Sequence, residues 1–422
     1  MKNLKTLSEK YVRITTPNRS PIAALGRRAK KTTTAVGAVM AVGALAFTAA
    51  CTIDQGSGSN NSEVSASSAA NAQDTEKVEL KSTVKDGSTS VPVSTPLEVS
   101  STEKIDSVTL INPEGVEVEG TFNKDRTTWT AGEKLGFGRQ YTLKAKSGKE
   151  TLKQTFTTVT AYGTQSYSLA PLDGSTVGVG QTIALRFDSA VADREAVEEA
   201  ITVETSPKVE GAFYWITAQE VRWRPENYWK PGTEVTVTTD LYGVEIGDGV
   251  YGTADQEASF TIGDETRAVV DDATKTMTIY QNGQATKTMP VSLGRDGTEY
   301  ATPNGVYMVG DQHESILMDS STFGLAVENG GYKKDVAYAT QMSYSGIYIH
   351  SAPWSVWAQG NTNTSHGCVN VSPENALWVL NNFKRGDIVE VKNTTGSTLS
   401  GSDGLGDWNI DWKTWKAGNA KG

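Results

Sequence analysis

From about residue 77 onward, apolar and polar side chains alternate in short runs: KVELKSTV, SVTLINPEG, VEVEGTF, YTLKAKS and KQTFTTVT, punctuated by Gly, Asn, Asp and Pro. A period of two is that of a half-buried strand, whose successive side chains point to opposite faces. Short strands at this spacing predict a small β-sandwich over residues 77–162. A second series, QTIALRFDS, AITVETS, VEGAFYWIT, EVRWRPE, TEVTVTTDL and ASFTIG, predicts another sandwich over 163–263. One helix, DREAVEEAI at 193–201, interrupts it. Trp215, Trp223 and Trp229 are assigned to packing there rather than to a sugar-binding platform.

A third unit spans 264–393. Its strands read RAVVDD, TMTIYQNG, ATKTMPVSLG, NGVYMVG, YSGIYIHS and GDIVEV. Asn282-Gly283 between alternating residues predicts a tight hairpin, because both types tolerate the positive φ that a type I′ turn requires. A helix follows residue 372. Ser372 suits the N-cap and Pro373 the first helical position, Ala376, Leu377, Val379, Leu380 and Phe383 recur on one side, and Gly386 is the predicted stop. The last segment, 394–422, is Gly/Ser-rich and then carries Trp408, Trp412 and Trp415, whose spacings of four and three predict one helical face docked on the rest of the chain. The fold class is mainly β, with two immunoglobulin-like sandwiches ahead of a β-rich third domain that has one or two helices and a Trp-rich extension.

Charge changes the picture at the N-terminus. Of the 39 Lys and Arg residues, nine fall in residues 1–50 against one acid, Glu9. The remainder holds 30 basic and 48 acidic residues, an acidic body. Such a body argues against a nucleic-acid partner, since it has nothing to displace counterions from phosphates. Behind the basic segment, residues 35–50 read AVGAVMAVGALAFTAA and end in small residues before Cys51. That is the layout of a secretory signal, and the run is short of the roughly 20 residues a membrane span needs. Thr48-Ala49-Ala50-Cys51 resembles a bacterial lipoprotein cleavage box, with Thr48 where that box has leucine. Residues 1–51 are therefore read as a lipoprotein-type signal with Cys51 as the lipidated residue; an uncleaved membrane anchor is the alternative. Both place the rest outside the cytoplasm, facing the cell wall. Residues 52–76 are Ser/Ala/Asn/Gly-rich and read as a flexible linker.

The chain has two cysteines, Cys51 and Cys368, and three histidines, His313, His350 and His366. Two of the histidines and Cys368 fall within IYIHSAPWSVWAQGNTNTSHGCVNVSPENA, residues 347–376. So few soft ligands make a zinc site an unpromising reading. A thiol exposed to an oxidising compartment is a liability unless it is used, and it needs a base beside it to become a nucleophile. His350 ends one predicted strand and Cys368 follows a loop, so two adjacent strands would bring them together at a sheet edge. Gly367 lets the backbone turn tightly enough to aim N–H groups at a developing oxyanion. A buried inert thiol is the competing reading of Cys368. His366 is assigned to shaping the loop, because neighbours in an extended chain point in opposite directions.

His350, fourteen residues and then Ser365-His366-Gly367-Cys368 resemble the signature of the L,D-transpeptidase catalytic (YkuD-type) domain. The likeness extends through TPNGVYMVG, MDSSTFG, KRGDIVEV and GLGDWNIDWKTW, and resembles the actinobacterial branch with tandem immunoglobulin-like domains. The resemblance implies a cysteine acyltransferase acting on peptidoglycan stem peptides. Cys368 would be the nucleophile and His350 its base, oriented by the Ser351 carbonyl, with the Gly367 and Cys368 N–H groups as oxyanion donors and His366 beside them in the catalytic loop. Met318, Tyr332, Asn370 and Trp354 would line the substrate cleft, the first two from a flap over 308–337 in which Phe323 stands at a tyrosine position of the family. No metal or organic cofactor is implied. Carbapenem β-lactams would acylate the same thiol. Carboxypeptidase action, attachment of a protein to the wall, and an inactive wall-binding stalk are the alternatives. Sortase chemistry requires an arginine after the cysteine strand, and the one nearby, Arg385, falls at a helix end.

Overall fold

The computed structural model describes residues 78–323, 326–329 and 331–421; the signal segment with Cys51, and the Phe323 side chain, lie outside them. The described chain is mainly β. Strands at Leu80–Ser82, Glu98–Ser101, Thr128–Ala131 and Gly120–Phe122 make one four-stranded sheet, and Glu117–Val118, Ser107–Ile111, Gln140–Ser147 and Glu150–Thr157 another. Val99, Trp129, Leu110, Leu143 and Phe156, from both sheets, fill one core. A second pair of four-stranded sheets runs from Tyr167 to Ile262, and Trp215, Trp223 and Trp229 are all buried in its core. The helix in this part covers Arg194–Glu199, shorter than the predicted 193–201. Asp193 stays extended and caps it, accepting from the Ala196 N–H, and Ile201 already belongs to the next strand.

The third part is built on two sheets. Strands β1 (Thr266–Asp271), β2 (Thr276–Gln281), β3 (Gln284–Pro290), β4 (Gly305–Met308) and β9 (Ile388–Lys392) form the first, in the order β3-β2-β1-β9-β4. Strands β5 (Gln312–Asp319), β6 (Lys333–Gln341), β7 (Tyr348–Ser351) and β8 (Val369–Val371) form the second, in chain order. At the β2–β3 turn Asn282 and Gly283 have φ of 48° and 78°, the left-handed pair the sequence predicts. Helix α1 (Pro373–Asn382) packs on the second sheet, with Ala376 and Val379 fully buried and the Ser372 hydroxyl accepting from the Asn375 N–H. Gly386 does not end this helix. The chain is already extended at Phe383, which turns into the core, and Gly386 makes a separate turn three residues later.

The tail departs from the single helical face predicted for its three tryptophans. Trp408 sits in a short 3₁₀ turn, Asp407–Asn409, while Trp412 and Trp415 belong to α2 (Trp412–Ala417). Asp411 is the reason: it is extended and caps α2 through the Thr414 N–H, which breaks the helix between the first and second tryptophan. The tail does dock. Trp408 Nε1 donates to the Gly180 carbonyl at 2.7 Å and Trp415 Nε1 to the Ala212 carbonyl at 2.8 Å, with the Arg224 guanidinium over both rings.

The second sandwich and the third part share one core. Val179 and Ile183 pack with Met308, Ile388 and Leu405. A buried ionic network ties the same surfaces. Arg222 donates to Asp407 Oδ2 at 2.9 Å, to Glu220 Oε1 at 2.6 Å and to the Gly404 carbonyl at 2.9 Å, while the Thr182 hydroxyl also donates to Asp407 Oδ2. Loss of one partner from such a buried pair costs about 3–5 kcal/mol, because the other charge is left uncompensated. The catalytic candidate therefore stands on a fixed base.

Candidate active site

Strands β7 and β8 are parallel and in register: Ile349 pairs with Val369, His350 with Asn370, and Ser351 with Val371. All four residues of β7 and all three of β8 are buried, so their apolar positions hold the register from both faces. A parallel pair needs a long crossover; here it is the loop over 352–368, which opens with a 3₁₀ turn at Pro353–Ser355. Asn370 is pinned from three sides. Its N–H and C=O pair with Ser292, and its Nδ2 donates to Ser355 Oγ at 3.1 Å. The sheet edge predicted here is thus covered by an isolated bridge from Ser292, just past the end of β3.

Cys368 lies one residue ahead of β8, two from Asn370, so both side chains leave the strand toward the face that carries His350. All three line one cavity of about 200 Å³. The loop around the cysteine is held by side chains. Ser365 Oγ donates to the Cys368 carbonyl at 2.7 Å and accepts from the Gly367 N–H at 3.1 Å, and Thr302 Oγ1 donates to the Gly367 carbonyl at 2.8 Å. Gly367 has φ of +123°, a conformation that requires glycine, although a Cβ there would meet no atom closer than 3.8 Å. Its N–H, assigned by resemblance to the oxyanion hole, is occupied by Ser365 in this resting state and reaches an oxyanion only by leaving that hydroxyl.

His350 Nδ1 faces the Ser351 carbonyl at 2.9 Å. A carbonyl only accepts, so Nδ1 carries the proton and Nε2 keeps its lone pair. The thiol of Cys368 points to the Gly346 carbonyl, 3.6 Å away. Both groups are almost fully buried. Burial pushes the thiol up to about 11, partly offset by the Tyr348 N–H. It pushes His350 down to about 4; the Ser351 bond opposes this and the charge of Lys334 adds to it. At neutral pH the pair is therefore an uncharged thiol beside an uncharged imidazole.

The flap is the β5–β6 hairpin. Met318, Tyr332, Lys334 and Val336 project from it into the cavity. Burial and the neighbouring thiol push the Tyr332 phenol up to about 12. His366 also lines the cavity, its ring between Tyr300 at 4.8 Å and Tyr332 at 5.2 Å, and so it joins loop to flap. Trp354 forms the opposite wall, half-exposed, 6.1 Å from the His350 ring. The structure thus brings Cys368, His350, His366, Asn370, Met318, Tyr332 and Trp354 to one cavity, with the backbone of Ser351 and Gly367 behind them. Arg385 pairs with Asp311 instead.

Ser365 was named in the sequence only as part of the signature, without a role, and Lys334, Thr302 and Gly346 were missed. For Lys334 a signal existed: in YKKDVAYATQ the period of two puts Tyr332, Lys334 and Val336 on one face. For Gly346, a backbone acceptor, there was none.

The bacterial Ig domain family matches residues 88–245, and the L,D-transpeptidase catalytic domain family matches residues 265–391. The chain is 51% identical over 349 residues to L,D-transpeptidase 2 of Mycobacterium tuberculosis (strain CDC 1551 / Oshkosh), covering 81% of this chain and 85% of that protein. It is 35% identical to L,D-transpeptidase 5 of strain ATCC 25618 / H37Rv of the same species, covering 73% and 69%. Among solved structures it is similar to L,D-transpeptidase 3 from Mycobacterium tuberculosis in complex with a faropenem-derived adduct, at 30% identity and a TM-score of 0.46, covering 54% of this chain and 98% of that one.

The uncharged resting thiol has a measurable consequence. Alkylation of Cys368 by iodoacetamide at pH 7 is expected to be about 10²-fold slower than that of an unperturbed thiol of pKa near 8.5, and to climb with pH toward 11. Mass-spectrometric rates between pH 5 and 10 check this. A fast rate already on a plateau at pH 7 would show a thiolate instead.

Proposed function

The chain belongs to the L,D-transpeptidase family, and from that premise we propose that it cross-links peptidoglycan stems through a thioester on Cys368. The donor is a tetrapeptide stem ending in diaminopimelate and D-Ala. When it enters the cavity, the thiol turns from the Gly346 carbonyl to His350 Nε2. The imidazole takes the proton as Sγ bonds to the diaminopimelate carbonyl carbon. The resulting oxyanion collapses, the C–N bond breaks, and the proton passes from Nε2 to the leaving amine of D-Ala. In the second half the side-chain amine of another stem's diaminopimelate attacks the thioester. It gives a proton to Nε2, the S–C bond breaks, and the thiol is restored. The product is a 3→3 link between two diaminopimelate residues.

One observation carries this reading: the parallel, in-register pair β7–β8 sets a buried thiol and an imidazole with a free Nε2 on one face of one cavity. The Ser351 carbonyl does the orienting, and it favours the imidazolium that forms in the first half. Asn370 Oδ1, buried and without a hydrogen-bond partner among the described residues, offers an acceptor for an N–H of the donor. The same thiol is the site at which a β-lactam would acylate the protein, since a strained amide asks for the same nucleophile and the same base.

The enzyme is further proposed to act outside the cell membrane, held there by a lipid on Cys51 and by the 52–76 linker. The apolar run over 35–50 and the small residues before Cys51 support this. A Cys51→Ala chain is expected to lose metabolic labelling with an alkyne fatty acid and to leave the membrane fraction; equal labelling of the two chains would exclude the anchor.

The activity itself is tested with residues 76–422 and a disaccharide-tetrapeptide. Mass spectrometry is expected to find a dimer linked diaminopimelate to diaminopimelate together with free D-Ala, and a loss of about 10³-fold or more in Cys368→Ala. Free D-Ala without dimer would move the assignment to a carboxypeptidase. Equal product from Cys368→Ala would remove the nucleophile from the account.

A further inference from the structure

Among the residues that line the cavity there is one lysine and no arginine: Lys334. No Asp or Glu lines the same cavity. Lys334 stands on β6 between Tyr332 and Val336, both cavity residues, and pairs across the hairpin with Met318, another. Its Nζ lies 3.4 Å from the centroid of the Trp354 ring, so it reaches from the flap to the opposite wall at the cleft mouth. The contrast with its neighbour is informative. Lys333 points to the other face of the strand and is paired with Asp319 at 2.9 Å. Lys334 has no carboxylate partner among the described residues. A cation–π contact holds the ammonium in place without neutralising it, so the cleft presents a fixed positive charge with no anion of its own.

The reacting part of the donor supplies one. In a tetrapeptide stem the group that leaves is D-Ala, and its carboxylate sits one carbon from the scissile nitrogen. We propose that Lys334 receives the terminal carboxylate of the donor stem, so that the enzyme selects stems ending in a free carboxylate one residue beyond the scissile bond. This rests on the donor chemistry given above. A stem one residue longer carries its carboxylate roughly 3.5 Å further along an extended chain, and a carboxamide carries no charge. In either case the ammonium keeps its position over Trp354 but loses its partner. Asn370 lines the same cavity, and its Oδ1, without a hydrogen-bond partner among the described residues, gives the donor a second polar contact near the cysteine. Lys334 is thus a specificity residue of the leaving-group side. It takes no part in proton transfer.

Steady-state kinetics of the wild type, Lys334→Arg and Lys334→Gln test this with two donors, a disaccharide-tetrapeptide ending in D-Ala and the same compound ending in D-alaninamide. The wild type is expected to prefer the free acid by about tenfold or more in kcat/KM, mostly through KM. Lys334→Arg keeps the preference and Lys334→Gln loses it, through a rise in KM for the acid donor. Lys334 is exposed, so matching melting temperatures are expected for all three proteins. An unchanged preference in Lys334→Gln, with turnover intact, would overturn the role of Lys334 alone. A wild type that releases D-Ala or D-alaninamide from neither donor would overturn the proposed reaction, and this inference with it.

Discussion

The in-register parallel pairing of Tyr348–Ser351 with Val369–Val371 is the constraint on which the site depends. Side chains alternate along a strand, so a slip of one residue would send Cys368 to the opposite face of the sheet from His350. Several contacts oppose that slip. Both strands are buried on both faces, Ser292 brackets Asn370 from the segment after β3, and the Asn370 amide is tied to Ser355 in the crossover. The turn at Gly367, which needs glycine's positive φ, is then held by Ser365 and Thr302, which fix where the thiol emerges. The site is rigid because its backbone is over-determined, and chemistry is left to groups at the ends of two short strands.

Burial sets the electrostatics of that pair. Burial pushes the thiol up to about 11 and the imidazole down to about 4, so it opposes moving the proton from one to the other in the resting cavity. The resting pair therefore stays uncharged, with the thiol on the Gly346 carbonyl rather than on the base. Charge separation has to be helped by what the donor brings: a carbonyl carbon that takes up the sulfur electrons as the proton leaves, and a carboxylate opposite Lys334. The second effect reaches the base. Lys334 is one of the causes that hold His350 down, and pairing its charge with a carboxylate relieves that push as the donor arrives.

Much of this was legible in the sequence, for local reasons. Rare residue types crowded into one segment singled out Cys368 and His350. A strong hairpin dipeptide marked the β2–β3 turn, and the Ser372-Pro373 pair marked the start of α1. What was not legible depends on tertiary contact. Nothing local says that Asp407 will be buried against Arg222, 185 residues away, or that Phe383 will leave the helix early for the core. The tail tryptophans matched a helical period, yet Asp411 competes for the backbone as a cap and splits them. Lys334 was within reach of a strict period-two reading of β6, which puts it on the face of Tyr332 and Val336. The Gly346 carbonyl has no side chain to announce it.

The resting charge state of the Cys368–His350 pair decides the chemistry, and His350 reports it most directly. NMR of the protein with labelled histidine, from pH 4 to 9, is expected to show an imidazole protonated at Nδ1 and neutral across the range, beginning to titrate only toward pH 4. Cys368→Ala should leave that resonance essentially in place. An imidazolium persisting above pH 6.5 and abolished in Cys368→Ala would mean that the resting enzyme already holds a thiolate–imidazolium pair, and would contradict the account.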